Sequence, residues 1–343
     1  QAALDEVSPG DEVVIKSGHY WEDIETKVDG NPDAKITIRG DGGVSNRDNI
    51  VLRGAGDASG IFTVSHDHYI IEDFTIDAQA VDKPEDANFD NYRESYRNTP
   101  LDVVGSRAPT TRDGGYLSAI DGLVVRRMSF KNAGGECVRL RYFVTKAEIY
   151  DNDILNCGVY DYIFNEGGHN GEGIYVGTSS PFWHANFADE EDMCLGNVVR
   201  NNNIVTMANE GVEVKQGCLE TLIEGNDISM QQDVSSGGIS SAADETIIRY
   251  NKIEDADGAG VRLKTRTVDG RQYGINSQVY ENTIVNCRAY GVKIEMYPQL
   301  QVCGNDIQLP PGINDDEYLY TGGDYSGFYD ARRDCDDSPP PSP

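Results

Sequence analysis

The sequence predicts an all-β fold, a single-stranded parallel β-helix of roughly ten coils. One phrase recurs four times between residues 209 and 308: a glycine, an apolar/polar alternation, and an asparagine two positions before an isoleucine. The repeated asparagines are Asn226, Asn251, Asn282 and Asn305. Spacings in the twenties and low thirties are typical of solenoids, whose coils bury a core only when they stack.

The alternation within each phrase is that of a strand with one buried face. Val212 and Val214 alternate with Glu213 and Lys215, and helical spacing is absent from this region. The asparagine also occurs at Asn152 and at Asn202, and we interpret it as a ladder at a turn, bonded to the backbone of neighbouring coils. A β-sandwich is the alternative, but its strands would have no reason to repeat one phrase.

Taken in order, the chain divides into a solenoid, residues 1–335, and a Pro-rich tail, residues 336–343. Residues 1–10 are expected to form a short amphipathic helix that plugs the first coil, because an open solenoid end exposes strand edges. Strands are predicted at 10–15, 34–40, 50–52, 61–64, 69–76, 123–130, 137–141 and 149–154. Polar side excursions are predicted at 77–118 and 159–196, and residues 309–335 are expected to wrap the last coil.

The charge of the chain restricts its partners. The net charge is −29 over 343 residues, which argues against nucleic acid and anionic membranes as partners. The chain has no apolar run long enough to span a membrane. We expect a secreted, extracellular or cell-surface protein, either a mature form or part of a longer one.

Seven cysteines suit that location. Cys194 and Cys218 each lie eight residues before a ladder asparagine, so the shared register predicts that they form a disulfide. Cys303 with Cys335 is a second candidate pair. No partner is predicted for the remaining cysteines, which are Cys137, Cys157 and Cys287.

The opening segments carry a resemblance to a known family. Gly10–Ile15 (Gly-Asp-Glu-Val-Val-Ile) and Ile36–Gly40 (Ile-Thr-Ile-Arg-Gly), with the coil phrase, resemble the pectate-lyase-like superfamily of right-handed parallel β-helices. The resemblance covers most of residues 10–308 and implies a right-handed coil. It implies much less about activity, since one fold supports many functions.

Two enzyme groups of that superfamily can be compared residue by residue. Arg262-Leu-Lys264 is similar to the Arg-Ile-Lys of polygalacturonase-type hydrolases, but the paired aspartates that hydrolysis needs would fall at Asn209-Glu210 and do not match. Glu210 and Lys215 are similar to the calcium-binding acid and the base of polysaccharide lyase family 6. The arginine of that family would fall near residues 240–243, which contain none.

Outward positions of the predicted strands form a basic row on this acidic protein. The row consists of Arg139, Arg141, Tyr175, Glu213, Lys215, Ser240, Arg262, Lys264, Lys293 and Glu295. Elimination from a uronate would need cations for its carboxylate and a base for its proton. We therefore predict substrate binding by Arg139, Arg141, Tyr175 and Lys293, and the resemblance to polysaccharide lyase family 6 implies calcium binding by Glu210 and Glu213. The alternative is that these charges only pair across neighbouring coils.

Two functions follow. The first is an extracellular, non-catalytic structural or glycan-binding module of a larger matrix or filament protein, in contact with copies of itself or neighbouring domains. Its tail resembles hydroxyproline-rich linkers with O-linked sugars, at Ser338, Pro339, Pro340, Pro341 and Ser342. The second is a calcium-assisted lyase of an acidic polysaccharide, with Lys215 and either Arg262 or Lys264 as catalytic residues.

Overall fold

Three parallel sheets of ten strands each run the length of the molecule, which confirms the predicted β-helix of about ten coils. The structure is a computed structural model that describes residues 1–55, 60–79, 92–105, 120–166, 170–183, 191–322, 325 and 327–335. Each coil contributes one strand to sheet A, then one to sheet B and one to sheet C. The predicted O-glycosylation sites, Ser338 to Ser342, lie outside the described residues.

The strands are short, most of them three residues long. Sheet A contains Glu12–Ile15, Ile36–Gly40, Tyr69–Glu72, Val124–Arg126, Glu148–Tyr150, Val198–Arg200, Leu222–Glu224, Ile247–Arg249, Gln278–Tyr280 and Gln301–Cys303. Sheet B contains Gly18–Tyr20, Ile50–Leu52, Thr75–Asp77, Ser129–Lys131, Asp153–Leu155, Asn203–Val205, Asp227–Ser229, Lys252–Glu254, Thr283–Val285 and Asp306–Gln308. Sheet C contains Ile24–Glu25, Gly60–Val64, Thr99–Val104, Val138–Arg141, Ile174–Val176, Val212–Val214, Gly237–Ser241, Ala259–Leu263, Val292–Ile294 and Leu319–Thr321.

A few elements lie outside the three sheets. Two small sheets pair Ile120–Asp121 with Val144–Thr145, and Arg266–Val268 with Arg271–Tyr273. The α-helix Val159–Tyr162 and the 3-10 helices Val44–Asn49, Arg93–Ser95, Ser180–Phe182 and Asp315–Tyr318 are all short. Among the described residues, no helix has the length and apolar character needed to cross a membrane.

The core is a set of aliphatic columns that run parallel to the solenoid axis. In sheet A the central residues of successive strands, Val199, Ile223 and Ile248, are in register and fully buried. Full burial of such a side chain contributes about 1.5–3 kcal/mol, so a strand of three residues is stable only within a stack.

The predicted asparagine ladder is confirmed, and it lies at the corner between sheets A and B. The side chains of Asn152, Asn202, Asn226, Asn251, Asn282 and Asn305 are buried and stacked. The Asn226 Oδ1 atom, for example, accepts hydrogen bonds from the Asn202 backbone N–H (3.0 Å) and Nδ2 (2.9 Å). At the end of the column the carbonyl of Ala331 accepts from Asn305, so the C-terminal segment completes the ladder.

The corner turn corrects the predicted single strands 69–76 and 123–130. Each is two strands of different sheets, separated by a left-handed residue, Asp73 (φ 66°) or Arg127 (φ 52°). The same conformation occurs just before the ladder asparagines, as at Asn201 (φ 54°). The left-handed residue therefore makes the turn, and the asparagine that follows bonds it to the next coil.

Three further predictions need correction. Residues 1–7 form a hydrogen-bonded turn instead of a helix, because the segment is too short for repeated helical bonds, although the buried Leu4 does plug the first coil. The excursion predicted at 77–118 contains the sheet C strand Thr99–Val104. The excursion predicted at 159–196 contains the sheet C strand Ile174–Val176.

One of the two predicted disulfides is present in the structure. Cys303 and Cys335 form a disulfide with a Cα–Cα distance of 5.2 Å, and an unpredicted disulfide joins Cys137 to Cys157. The predicted Cys194–Cys218 disulfide is wrong, because both thiols are free and buried. They directly precede Leu195 and Leu219, which pair on adjacent coils, and each thiol makes a hydrogen bond of its own, Cys194 to Asp192 Oδ1 (3.5 Å) and Cys218 to Val176 O (3.7 Å).

Candidate functional site

The outward face of sheet C brings the predicted basic row together. Strand register aligns Arg139, Tyr175, Glu213, Ser240, Arg262 and Lys293 in one column, which continues to Tyr320. A second column two residues further along the strands contains Arg141, Lys215, Lys264 and Glu295. The row that the sequence predicted is therefore a real surface of the molecule.

Glycines at the start of these strands allow the coils to pack closely. A Cβ atom on Gly211 would lie 2.3 Å from Ile228 Cγ2, and one on Gly238 would lie 2.4 Å from Ile253 Cγ2. The recurrent glycine of the phrase is thus required by the isoleucine of the neighbouring sheet. This packing places the residue before Gly211, Glu210, at the edge of the outward face.

Three buried carboxylates form the centre of the surface. The carboxylate oxygens of Glu172, Glu210 and Glu213 lie within 4.8 Å of one another, and we call these residues the acid cluster. Lys264 Nζ lies 2.8 Å from Glu210 Oε1 and 2.5 Å from Glu213 Oε1. Lys215 Nζ forms an ion pair with Glu213 Oε2. The predicted catalytic lysines therefore flank the predicted calcium ligands.

The charges of this cluster do not balance, since three carboxylates face two ammonium groups. Desolvation, followed by repulsion from Glu213 and Glu136, raises the pKa of Glu172 well above its usual value. Burial also raises the pKa of Glu213, but the ammonium groups of Lys264 and Lys215 outweigh burial and the net pKa is lowered.

The two lysines are held in their charged form. Burial lowers the pKa of Lys215, but attraction to Glu213, Glu172 and Glu210 outweighs it, and the net pKa is raised. Attraction to Glu210 and Glu213 likewise outweighs burial and raises the pKa of Lys264. A proton can leave Lys215 only at alkaline pH or after the cluster loses negative charge.

Tyr175 lies beside these charges. Its side chain is almost fully buried, and Lys215 Nζ is 4.9 Å from the centre of its ring. Burial, and then the carboxylates of Glu213 and Glu172, raise the pKa of Tyr175 well above its usual value. The phenol therefore keeps its proton at neutral and mildly alkaline pH, as a proton donor must.

The other predicted binding residues pair with acids. Arg139 Nε and Nη2 lie 2.9 and 2.8 Å from the two carboxylate oxygens of Asp102, and Arg141 Nη2 is 3.6 Å from the same side chain. Arg262 and Lys293 both contact Glu295. The pairing across coils that was the alternative is thus present for Arg139, Arg141 and Arg262, whereas Lys293 pairs with Glu295 of its own coil.

Glu172 and Glu136 are site residues that the sequence reasoning missed. Glu172-Gly173-Ile174 repeats Glu210-Gly211-Val212 one coil earlier, and Val138, two residues after Glu136, is in register with Ile174. The available signal was a glutamate two residues before each of three successive sheet C strands, those that begin at Val138, Ile174 and Val212. It was missed because residues 159–196 were interpreted as an excursion.

The acid cluster fits a calcium ion by the chemistry of its donors. Calcium prefers several oxygen ligands and favours carboxylates, and each of these three residues offers a carboxylate oxygen within 4.8 Å of the others. Glu172, Glu210 and Glu213 are the residues that would hold the ion, so the predicted ligand pair gains a third member.

We expect the substitution Glu172→Gln to stabilise the fold at pH values above the ordinary glutamate pKa. A raised folded-state pKa means that stability is fully present below the unfolded value of 4.5 and declines as pH rises toward the folded value. Glutamine keeps the shape of the side chain and cannot titrate. The free energy of unfolding of the variant should therefore exceed that of the wild type by about 1–3 kcal/mol at neutral pH. Urea unfolding at a series of pH values measures this difference.

The exposed Glu220→Gln is the matched control and should change stability little at any pH. A Glu172→Gln protein that loses stability at neutral pH but not at acidic pH would contradict the raised pKa of Glu172.

Comparisons with known proteins agree on the fold. A family model described as "Right handed beta helix region" matches residues 168–314. The alginate lyase from Paenibacillus sp. str. FPU-7 superposes with a TM-score of 0.65 at 21% identity, covering 94% of each chain. The enzymatically active domain of tailspike protein 2 from bacteriophage CBA120 superposes with a TM-score of 0.56 at 11% identity, covering 89% of this chain and 39% of that one.

A third structure, the DFA-IIIase from Arthrobacter chlorophenolicus A6, gives a TM-score of 0.51 at 14% identity, covering 88% of this chain and 78% of that one. A sequence search of curated proteins finds no significant match. At these identities the likeness establishes the fold, and it confirms the right-handed parallel β-helix that the resemblance implied.

Proposed function

We propose that the protein is a polyuronate lyase whose reaction centre is the acid cluster with Lys215 and Tyr175. The observation that carries the proposal is the burial of this charged group on the outward face of sheet C. Buried charges destabilise a fold unless they are paired, and such groups concentrate at functional sites. The similarity in fold to an alginate lyase supports a uronate polymer as substrate.

The proposed reaction is a β-elimination that needs one base and one acid. The amine of Lys215 removes the C5 proton, the electron pair forms the C4–C5 double bond, and the C4–O4 bond breaks. Tyr175 donates its phenolic proton to the departing oxygen. Protons balance when Lys215 returns its proton to solvent and Tyr175 is reprotonated. Lys264 contributes by holding Glu210 and Glu213 in place.

Calcium belongs to the proposal as an accessory of the acid cluster. Bound by Glu172, Glu210 and Glu213, it would supply positive charge to neutralise a uronate carboxylate. Lys215 owes its raised pKa to these carboxylates, so any loss of negative charge from them lowers that pKa and increases the fraction of free amine.

The test is incubation with alginate, pectate and chondroitin between pH 6 and 10, with calcium or with a chelator, while absorbance of the unsaturated product is recorded. We expect the rate to rise with pH, because the free amine of Lys215 increases toward its raised pKa. Folded protein that yields no product from any of these polymers, with or without calcium, would rule out the lyase.

A second candidate is the extracellular, non-catalytic glycan-binding or structural module in contact with copies of itself. The observation that favours it is the pairing of the row, since Arg139, Arg262 and Lys293 each contact an acid. The disulfides support an extracellular location for either function. Retention of the protein on immobilised alginate without any product would favour this module over the lyase.

A further inference from the structure

A second group of residues lies further along the outward face of sheet C. It consists of Arg262, Tyr290, Lys293, Glu295 and Tyr320, and we call it the distal patch. Lys293 Nζ is 5.9 Å from the ring centre of Tyr290 and 5.6 Å from that of Tyr320. The two ring centres are 5.0 Å apart. One ammonium group and two aromatic rings thus face one small area of surface.

The distal patch carries an excess positive charge. Lys293 Nζ lies 2.7 Å from one oxygen of Glu295, and Arg262 Nη2 lies 3.0 Å from the other. Two cations therefore share one carboxylate, in a protein whose net charge is −29. Both cations are partly exposed and already fixed in position, so an approaching anion gains charge-assisted hydrogen bonds with little ordering of side chains.

The rings supply the second requirement for recognising a sugar acid. Tyr320 is 37% exposed and Tyr290 is half-buried, so apolar ring surface is available beside the ammonium group. A uronate residue has a C–H face and a carboxylate at its edge. Its apolar face needs an aromatic ring, and its carboxylate needs a cation at one side of that ring.

We propose that the distal patch is a subsite that binds one uronate residue of a polysaccharide running along sheet C. The carboxylate is held by Lys293 and Arg262, and the sugar ring packs on Tyr320. The identity of the polymer and its position at the acid cluster rest on the proposed function. The patch thereby adds a determinant of chain length to the site.

The register of the strands gives the distance between the two sites. Glu213, Ser240, Arg262 and Lys293 occupy consecutive strands of sheet C. Strands are about 4.8 Å apart, so Lys293 is about 14 Å along the surface from Glu213. A disaccharide cannot reach from one to the other, whereas a hexasaccharide can. Only longer oligosaccharides gain affinity from the distal patch.

The test is calorimetric titration with oligoalginates from disaccharide to hexasaccharide, in a Tyr175→Phe background so that substrate is consumed only slowly. Adding Tyr320→Ala or Lys293→Ala should weaken hexasaccharide binding about five- to tenfold and leave disaccharide binding unchanged. Tyr250→Ala is the matched control, because Tyr250 is 55% exposed next to a sheet A strand and should leave affinity at every length unchanged. Circular dichroism of each variant verifies folding.

The distal patch would be overturned if the variants lost affinity equally for oligosaccharides of every length, or lost none for the hexasaccharide. It would also be overturned if the Tyr175→Phe parent bound no oligosaccharide. Binding needs no turnover, so the two proposals can fail separately. Length-dependent loss in a protein that yields no unsaturated product would retain the patch and reject the lyase. Product formation, together with unchanged hexasaccharide binding in Tyr320→Ala, would retain the lyase and reject the patch.

Discussion

Lys215→Ala is expected to reduce the rate of uronate elimination by about a thousandfold, since general acid–base groups contribute 10²–10⁴-fold. The partly buried Lys215 side chain lies beside Tyr175 and is paired with Glu213, and its amine is the base in the proposed reaction. Glu213 keeps Lys264 as a partner in the variant, so the carboxylate is not left without a cation. Initial rates of product absorbance, measured at the most active pH, give the effect.

Two variants make this result specific. Lys252→Ala removes an exposed lysine on sheet B and should keep the wild-type rate. Tyr175→Phe removes only the phenolic oxygen and should lower the rate by about a hundredfold or more, because the departing oxygen loses its proton donor. A Lys215→Ala protein that is folded and retains the wild-type rate would show that the base is another group.

Sequence patterns predicted the site where it repeats and missed it where the chain departs from the repeat. Glu213 and Lys215 lie in the phrase itself, so their shared face followed from the alternation, whereas Glu210 was predicted from the resemblance to polysaccharide lyase family 6. Glu172 lies in the same phrase one coil earlier, but long polar stretches surround it and only three residues of strand, Ile174–Val176, identify the coil. The raised pKa of Glu172 depends on burial and on charged neighbours from the coils before and after its own, and it has no local signal.

The fold was predictable for a related reason. Every coil buries the same kind of residue at the same place, so periodicity alone predicts stacked strands. The corners of the coils were not predictable, because each turn depends on one left-handed residue, such as Tyr250 (φ 56°), whose type varies from coil to coil. The Cys194–Cys218 error has the same origin: shared register predicts that the two cysteines lie on adjacent coils, but the state of each thiol depends on local partners, here Asp192 and the Val176 carbonyl.

The asparagine ladder should be the most sensitive structural feature of the molecule, and Asn202→Ala is expected to destabilise it by about 3–5 kcal/mol. Asn202 Oδ1 accepts from the Asn152 backbone N–H (3.1 Å) and Nδ2 (2.9 Å). Its own Nδ2 donates to Ile149 O and to Asn226 Oδ1, both at 2.9 Å. Alanine removes these partners from the buried Asn152 N–H and the Ile149 carbonyl of the preceding coil, and each such unpaired group costs about 1–3 kcal/mol.

The adjacent Asn203 provides a closely matched control. It is exposed, and its side chain donates to Asp153 Oδ1 at 3.1 Å on the surface, so Asn203→Ala should change stability by less than about 0.5 kcal/mol. Urea midpoints compare the two variants. Hydrogen exchange at the Asn152 amide locates the effect, because that N–H loses its acceptor only in Asn202→Ala. Equal midpoints for the two variants would mean that backbone pairing and the aliphatic columns hold the coils together without help from the ladder.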